Sequence, residues 1–317
     1  MKDRSCKNNK AFPIISVIVP VYNVSDFVLD AIDSIVNQDK VTSEIIIIDD
    51  CSSDNTYDIC LRIKEKYNNI TLLKNDINLK ICKSLNKALK YATGDYIARI
   101  DGDDLAQPSR LNTQIDYLLS NDLDLVGCQM IAIDEAGNQL AKGSMPIGID
   151  KVKAASKFAS PIAHIWLAKR EVYETLNGYR EIPYAEDYDF ILRALDKGFR
   201  CDNTPEHLML IRQRSGNTAS TASLKQRKTH KYVLELHRRR IKNKSDEDGF
   251  SERELAERIY SWQITEKLHL LSTKFLTSAY HEKNKFKKMV KILSSCVLSY
   301  YNFEYLLSRI RFKKSFM

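Results

Sequence analysis

Three short apolar runs constrain the fold of this 317-residue chain more strongly than any other feature of its sequence. The runs Ile14–Pro20, Glu44–Ile48 and Tyr96–Ile100 are too short for typical helices and rich in β-branched residues, so they predict buried strands. Segments with a helical apolar period separate the runs. This alternation predicts right-handed βαβ units, and therefore an α/β fold with a mostly parallel sheet flanked by helices.

Acidic and aromatic residues stand where each predicted strand ends. Asp101, Asp103 and Asp104 follow the third run, Asp50 the second and Tyr22 the first. Because ligands of open α/β sheets bind outside the carboxyl ends of the strands, these side chains are expected in one crevice. Three crowded carboxylates need water, basic side chains or a hard divalent cation such as Mg²⁺ or Mn²⁺. A solvated acidic turn is the alternative interpretation.

The same crevice contains residue types that bind a nucleoside. Pro20 or Tyr22 would pack against a base, and Asp50 would accept a hydrogen bond from a base or a ribose hydroxyl. Equally, Asp50 would serve as a turn acid before a helix, and Tyr22 as a core aromatic. The sequence contains no GxGxxG after the first run and no GxxxxGKS/T, which argues against a dinucleotide dehydrogenase and a P-loop ATPase.

Composition and charge narrow the class further. The seven cysteines include no CxxC pair that would indicate a zinc site. The polar start and the lack of apolar runs of roughly 18–20 residues argue against a signal peptide and a membrane span, so a cytoplasmic location is expected. Residues 1–224 carry 27 basic and 31 acidic side chains, net −4, whereas residues 225–317 carry 22 and 10, net +12. The basic character therefore belongs to the C-terminal region.

Four motifs, in order, resemble those of family 2 glycosyltransferases. They are Ser16–Asn23 (SVIVPVYN), Ile46–Asp54 (IIIDDCSSD), Gly94–Asp104 (GDYIARIDGDD) and Ala185–Phe190 (AEDYDF), within roughly residues 14–216. Four ordered motifs are far more specific than any one of them. The resemblance implies a GT-A fold, a nucleotide-sugar donor, a divalent metal ion and inversion at the anomeric carbon.

On the donor side, the resemblance implies residues that surround the nucleoside, an acidic residue that binds the nucleobase, and acidic residues near the ribose and the metal ion. The residues implied at the nucleotide-sugar are Pro20, Tyr22, Asn23, Asp50, Lys83, Asp101, Asp103 and Arg214. Asp103 and Asp104 would hold Mn²⁺ or Mg²⁺. Lys83 is interpreted equally well as a solvated helix lysine. Arg214 stands where the family often has a histidine, and as a fixed cation it could contact the diphosphate directly.

At the acceptor, the resemblance makes Asp187 the general base and assigns Glu186 to acceptor hydroxyls. His164 would lie near the donor or the acceptor, and we assign it to acceptor binding. A sugar hydroxyl needs a base to take its proton, and inversion needs one base rather than the two carboxyl groups of glycosidases. The alternatives are two acids that compensate a helix dipole and a buried, hydrogen-bonded histidine.

The C-terminal region, residues 225–317, is predicted as basic helices appended to a catalytic domain of residues 1–224. A basic stretch, Lys283–Lys291, precedes an aromatic helix over Ile292–Leu307, which suits an anionic membrane surface. A helical cap on the catalytic core, with a solvated basic face, is an equal interpretation. Another amphipathic helix is predicted over Glu252–Leu271, and a flexible loop that covers the donor over Ser215–Ser223. Nucleic-acid binding is disfavoured because no recognised module accompanies the charge.

The sequence therefore predicts an inverting glycosyltransferase. It would move a hexose or N-acetylhexosamine from a UDP-sugar to a hydroxyl of a glycan, and a lipid-linked acceptor would place it peripherally on the inner face of the cell membrane. Two other functions stay open at this point. One is a non-catalytic protein that binds glycans or membrane surfaces through a decayed site. The other is a sugar nucleotidyltransferase, which would release pyrophosphate rather than UDP.

Overall fold

A computed structural model describes residues 13–214, 223–280 and 282–317. The strands in these ranges are β1 (Ile14–Val21), β2 (Thr42–Asp49), β3 (Ile70–Lys74), β4 (Tyr96–Arg99), β5 (Leu105–Ala106), β6 (Leu125–Ile133), β7 (Gln139–Lys142), β8 (Leu167–Lys169) and β9 (Cys201–Arg212). The helices of the catalytic region are α1 (Val28–Val36), α2 (Thr56–Lys64), α3 (Lys80–Leu89), α4 (Arg110–Ser120), α5 (Ile149–Ala155), α6 (Arg170–Leu176) and α7 (Glu186–Asp196). The later helices are α8 (Ser223–Asn243), α9 (Glu252–Ile259), α10 (Gln263–Tyr280), α11 (Lys285–Leu298) and α12 (Tyr300–Lys314).

The strands form one sheet in the order β3-β2-β1-β4-β8-β6-β9-β5, with β7 beside β6. Strands β3, β2, β1 and β4 are parallel, which confirms the predicted βαβ units. Strand β8 runs antiparallel between β4 and β6, whereas β6 and β9 are parallel to each other. The carboxyl ends of β1, β2 and β4 therefore lie side by side, as the α/β prediction requires.

Helices cover both faces of the sheet, which is why the first strands have continuous apolar runs rather than alternating ones. In β1, Ile15, Val17 and Val19 face a core shared with α1, α2 and α4. Ile18 faces the opposite core, which contains residues of α3, α6 and α7. In this second core the Trp166 ring stacks 5.2 Å from that of Phe190 on α7, so α7 is fixed against the sheet.

In the second half of the catalytic region, the apolar pattern of the sequence does not mark all of the strands. The turn-forming residues Asp134–Asn138 join β6 and β7 in an antiparallel hairpin. The largely apolar segment Pro161–Ala168 forms a strand only at its end, in β8. The pattern does not mark β9, because its first half is polar and is buried through hydrogen bonds instead. For example, the Asn203 amide donates to the carbonyls of Pro146 and Pro161 at 2.8 and 3.0 Å.

The C-terminal region is helical, as predicted, with two differences. The helix predicted over Glu252–Leu271 is interrupted between α9 and α10, and Ser299 divides the one predicted over Ile292–Leu307. The Ser299 hydroxyl accepts the Asn302 amide at 3.4 Å and so begins α12. Among the described residues, no helix combines the length and the apolar character needed to cross a bilayer. The boundary at residue 224 stays a prediction, and the loop predicted over Ser215–Ser223 lies outside the described residues except for Ser223.

Candidate active site

The Asp101–Asp104 turn packs closely against the end of β1. Gly102 donates its amide to the Pro20 carbonyl at 3.3 Å. A Cβ atom added at Gly102 would lie 2.6 Å from the Val21 side chain, a distance that real Cβ atoms essentially never show. Glycine is therefore needed for this close approach, which brings the three acids to the crevice beside the first strand.

The end of β9 fixes the other side of the same turn. Arg212 donates its amide to Oδ1 of Asp104 at 2.9 Å and its Nε to the Asp103 carbonyl at 2.9 Å. Two residues on, Nε of Arg214 lies 2.5 Å from Oδ2 of Asp103. The turn is thus held at both flanks, and Arg214 is paired with a predicted metal ligand.

The buried Arg99 joins this turn to the start of α7. Its Nε and Nη2 donate to the two carboxylate oxygens of Asp101 at 2.8 and 3.2 Å, and its Nη1 lies 3.3 Å from Oε1 of Glu186. Burial alone would raise the pKa of Asp101, but the positive charges of Arg99 and His164 hold it below its usual range. Acids from two distant segments therefore share one guanidinium.

Glu186 and Asp187 lie together at the first turn of α7. Burial and the neighbouring charge of Asp187 raise the pKa of Glu186, although Arg99 opposes the rise. The Asp187 carboxylate makes one hydrogen bond with the described residues, in which Oδ1 accepts the Tyr188 amide at 2.7 Å. Tyr184, just before the helix, has a φ of +72°, a strained value for a residue other than glycine. No donor among the described residues contacts Oδ2 of Asp187.

His164 faces the acids from the segment before β8. Its Nε2 lies 3.4 Å from Oδ2 of Asp101 and 3.8 Å from Oδ2 of Asp104, without a hydrogen bond of standard geometry. Burial opposes protonation, but the two carboxylates prevail and raise the pKa of His164 to about 9. Burial and the charge of Asp103 raise the pKa of Asp104 to about 6, despite His164. The cluster is therefore short of positive charge.

The residues predicted to frame a nucleoside follow β1. Pro20 is buried, whereas Tyr22 is 47% exposed, so the interpretation of Tyr22 as a core aromatic is wrong. Asn23 accepts the Ser53 amide on its Oδ1 at 2.8 Å and donates its own amide to the Ser52 hydroxyl at 3.1 Å. The turns after β1 and β2 are thus tied to each other, with the Tyr22 ring accessible beside them.

Asp50 lies at the end of β2 and holds the start of α3. Its Oδ1 accepts the Leu79 amide at 2.7 Å and the Asn75 side chain at 2.8 Å, and its Oδ2 accepts the Lys80 amide at 2.9 Å. The structure therefore gives Asp50 a role at the start of α3, rather than at the helix that directly follows β2. A contact of Asp50 with a base stays a prediction.

Lys83 lies on the exposed side of α3. Its Nζ is 3.1 Å from Oε2 of Glu181, and the two side chains are 51% and 42% exposed. Such exposed ion pairs contribute little stability and exchange partners easily. This exposure fits the solvated interpretation of Lys83, and its contact with a nucleotide stays a prediction.

Comparison with known proteins decides the family. The model of glycosyl transferase family 2 matches residues 16–177, which contain three of the four motifs. The chain belongs to glycosyl transferase family 2. It is 36% identical over 209 residues to the putative glycosyltransferase EpsE of Bacillus subtilis, covering 64% of this chain and 74% of that protein. It is 32% identical over 218 residues to the O-antigen biosynthesis glycosyltransferase WbnJ of Escherichia coli, covering 66% and 83%.

Solved structures show the same fold for this glycosyltransferase. S. aureus TarS 1–349 in complex with UDP-GlcNAc has a TM-score of 0.60 and 19% identity, covering 95% of this chain and 89% of that one. The mannosyltransferase PcManGT of Pyrobaculum calidifontis, in complex with GDP-Man and Mn²⁺, has a TM-score of 0.57 and 17% identity, covering 96% and 86%. The GT-A prediction is confirmed.

Three arginines that organise the glycosyltransferase site were missed by sequence reasoning. Arg99 and Arg212 hold the acidic turn, as described above. Arg110 is fully buried on α4, where its Nη2 donates to the carbonyls of Arg99 and Ile165 at 2.6 and 2.9 Å. It thereby fastens the end of β4 to the segment of His164. A lone charge inside an apolar strand was a usable signal for Arg99, whereas the sequence around Arg110 carries none.

A histidine of the C-terminal region also reaches the glycosyltransferase site. His230 lies on α8, and its ring centroid is 5.4 Å from that of Tyr188. Burial lowers the pKa of His230, while the negative charge of Asp187 opposes that change. No motif includes His230, because it lies beyond the matched segments. The C-terminal region therefore borders the predicted base.

The acidic turn of the glycosyltransferase fits a divalent cation that also binds phosphate. Among the described residues, no group of three His, Cys, Asp or Glu side chains could hold a metal ion by itself. Mg²⁺ and related hard cations at nucleotide sites usually take only one or two carboxylates and complete their shell with phosphate oxygens and water. Asp103 and Asp104 match that requirement, and the raised pKa of Asp104 marks a carboxylate that a cation would stabilise.

Proposed function

We propose that this glycosyltransferase moves a hexose or N-acetylhexosamine from a UDP-sugar to a hydroxyl of a growing glycan, with inversion, in polysaccharide biosynthesis. One observation carries the proposal: Arg99 binds both Asp101 and Glu186, so the donor-side acids and the α7 carboxylates belong to one site. The UDP-GlcNAc complex of TarS and the name of WbnJ support the donor and the pathway class. GDP-sugars are the competing donors, given the PcManGT complex.

Asp187 would act as the general base. A sugar hydroxyl becomes an effective nucleophile when a positioned carboxylate takes its proton in the transition state. Oδ1 of Asp187 is held by the Tyr188 amide, which fixes the carboxylate and leaves Oδ2 for the acceptor hydroxyl. Glu186, held by Arg99, and His164 would bind other acceptor hydroxyls next to it.

The leaving group would be stabilised on the opposite side of the sugar. Asp103 and Asp104 would hold Mn²⁺ or Mg²⁺, which neutralises charge that develops on the diphosphate as the glycosidic bond breaks. Arg214 lies next to Asp103 and would exchange that contact for a diphosphate oxygen. Pro20, Tyr22, Asn23 and Asp50 would bind the nucleoside. Attack from the face opposite the diphosphate inverts the anomeric carbon, so a second carboxyl nucleophile is not required.

Release of nucleoside diphosphate from a panel of UDP- and GDP-sugars, with and without Mn²⁺, tests this proposal. We expect release of UDP that EDTA abolishes. Asp187→Asn should lower the rate by about 10²–10⁴-fold, the usual contribution of a general base, while UDP binding measured by calorimetry stays within about twofold. Asp103→Ala should instead weaken UDP binding in Mn²⁺.

Asp58→Asn is the matched control, because Asp58 is likewise an acid in the first turn of a helix, α2, but is exposed. Its rate should equal that of the unmodified protein. Full turnover by Asp187→Asn would contradict the assignment of the base. With UTP and a sugar 1-phosphate supplied instead, release of pyrophosphate would indicate a nucleotidyltransferase. The absence of UDP binding in Mn²⁺ would indicate a binding protein with a decayed site.

A further inference from the structure

Helices α10 and α11 pack against each other, and against α12, through polar side chains. The Ser272 hydroxyl donates to the Ser295 carbonyl at 2.7 Å and accepts from the Asn302 side chain at 2.5 Å. Nδ1 of His269 lies 2.7 Å from the Ser299 hydroxyl. All five residues are buried. Since His269 pairs with Ser299 and Ser272 with Ser295, the two helices are antiparallel and form a hairpin with a hydrogen-bonded interior.

The outside of this hairpin is apolar. On α11 the exposed apolar residues are Phe286, Met289, Val290, Leu293 and Val297. Steps of three or four residues place them on one stripe of the helix, on the side opposite the buried Ser295. Val297 is 87% exposed. Helix α10 adds Ile264, Leu268 and Leu271, which are exposed and have the same spacing. A helix pair in water normally buries its apolar residues and exposes its polar ones. This hairpin shows the opposite arrangement.

Lysines flank the apolar stripe of α11, and two exposed aromatic residues precede α10. Tyr260 and Trp262, just before α10, are 64% and 72% exposed. Lys285 and Lys287 lie about 100° to either side of Phe286 around α11. Residues 263–298 contain seven lysines and two glutamates, a formal charge of +5. A helix with an apolar stripe, flanking lysines and interfacial aromatics is built to lie on an anionic lipid surface.

The charges around this face also indicate which kind of partner would bind it. The described part of α11 contains no acidic residue, so two copies placed stripe to stripe would bring their flanking lysines together. That repulsion disfavours self-association, whereas phospholipid headgroups supply the opposite charge. No described helix is apolar and long enough to cross a bilayer, so the contact would be peripheral.

We propose that the outer face of the α10–α11 hairpin docks onto an anionic lipid bilayer, with the α11 stripe inserted among the headgroups. The inference does not depend on the donor or on the chemistry of the site. It does account for the row of apolar side chains that are exposed on α11.

Co-sedimentation of the full chain with lipid vesicles tests the proposal. We expect binding to vesicles with about one third phosphatidylglycerol, and at least tenfold weaker binding to pure phosphatidylcholine or at 0.5 M salt. Leu293→Ser/Val297→Ser should reduce binding to the anionic vesicles at least tenfold. Lys285→Glu/Lys287→Glu should do the same, with the apolar stripe intact.

Leu119→Ser/Leu140→Ser is the matched control, because both leucines are exposed on the catalytic region. It should bind vesicles like the unmodified chain, and circular dichroism should show that all variants are folded. Equal binding by the stripe variant and this control would overturn the proposal. So would a concentration-dependent dimer that the stripe variant dissociates, in a protein that does not bind the anionic vesicles.

Discussion

The two halves of the C-terminal region are built in opposite ways. Helices α8 and α9 pack on α7 through an apolar core, in which Tyr188 and Leu192 of α7 contact Tyr232 and Leu236 of α8. Helices α10 to α12 bury serines, an asparagine and a histidine beside a few apolar residues such as Leu276 and Phe312, and most of the apolar residues of α10 and α11 point outward. The first half follows the rule for proteins in water, and the second half largely reverses it.

Buried ion pairs strengthen the first junction. Asp189 of α7 is fully buried and accepts from Arg193 at 2.8 Å and from Arg180 at 3.0 Å. Arg180 also lies 2.9 Å from Asp248, in the loop between α8 and α9, and Asp248 pairs with Arg240 of α8. The helix that carries Asp187 is therefore fixed by the C-terminal region. Helices α8 and α9 therefore support the catalytic fold. The outward apolar residues of α10 and α11 do not contribute to that support and are available for another purpose.

The largest expected effect comes from the ion network of the first half. Asp189→Ala would leave Arg180 and Arg193 with an uncompensated buried charge, so we expect a loss of about 3–5 kcal/mol in the free energy of unfolding. Urea denaturation measures it. Asp246→Ala is the control, because the Asp246 side chain is 68% exposed and pairs with Lys197 at the surface, where about 0–1 kcal/mol is expected. Equal losses would contradict the division between the two kinds of pair.

The sequence predicted the first half of the catalytic fold well, for a physical reason. Runs such as Ile14–Pro20 and Glu44–Ile48 are buried by apolar contacts alone, and apolar contacts are what periodicity reports. Strand β9 and Arg110 are buried through hydrogen bonds to distant carbonyls instead. The Ile165 carbonyl that Arg110 contacts and the two carbonyls that Asn203 contacts are 42 or more residues away in the chain, so no local pattern could reveal them.

The sequence predicted those residues of the candidate site that lie within the four motifs. The acids Asp101, Asp103, Asp104 and Asp187 stand within motifs, and the structure brings the segments that carry them together through Arg99. The helix-start contacts of Asp50 depend on where α3 begins, which the sequence does not fix. The inverted polarity of the α10–α11 hairpin was also hidden, because an amphipathic pattern does not say which face is buried.

The next largest effect is expected from replacing a leucine in the first half of the C-terminal region, compared with one in the second half. Leu236 of α8 is fully buried and Leu293 of α11 is 56% exposed. Leu236→Ala should lower the free energy of unfolding by about 2–5 kcal/mol, because it leaves a cavity in the core shared with α7. Leu293→Ala should change it by less than about 0.5 kcal/mol in the absence of lipid. Urea denaturation of the two variants would contradict the inverted arrangement if the losses were equal.

Lowering the pH should weaken the second half of the C-terminal region through His269. Burial and the charge of Arg227 lower the pKa of His269 to about 4 in the folded protein, below its ordinary value near 6.5. Between these values the unfolded chain binds more protons, so the free energy of unfolding falls as the pH drops from 6.5 to 4, by up to roughly 3 kcal/mol. Denaturation at several pH values tests this. His269→Gln should flatten the difference, and an unchanged pH dependence in that variant would refute it.

The smallest effect concerns a single hydroxyl in the hairpin interior. Ser272→Ala removes a donor to the Ser295 carbonyl and an acceptor for Asn302, so we expect a loss of about 1–2 kcal/mol, against none for the exposed Ser278→Ala on the same helix. Urea denaturation of Ser272→Ala, Asn302→Ala and the double variant forms a cycle that isolates their coupling. Additive losses would mean that the interior hydrogen bonds do not hold the hairpin. Clear coupling would mean that these hydrogen bonds hold α10 and α11 together, beside the few buried apolar residues such as Leu276.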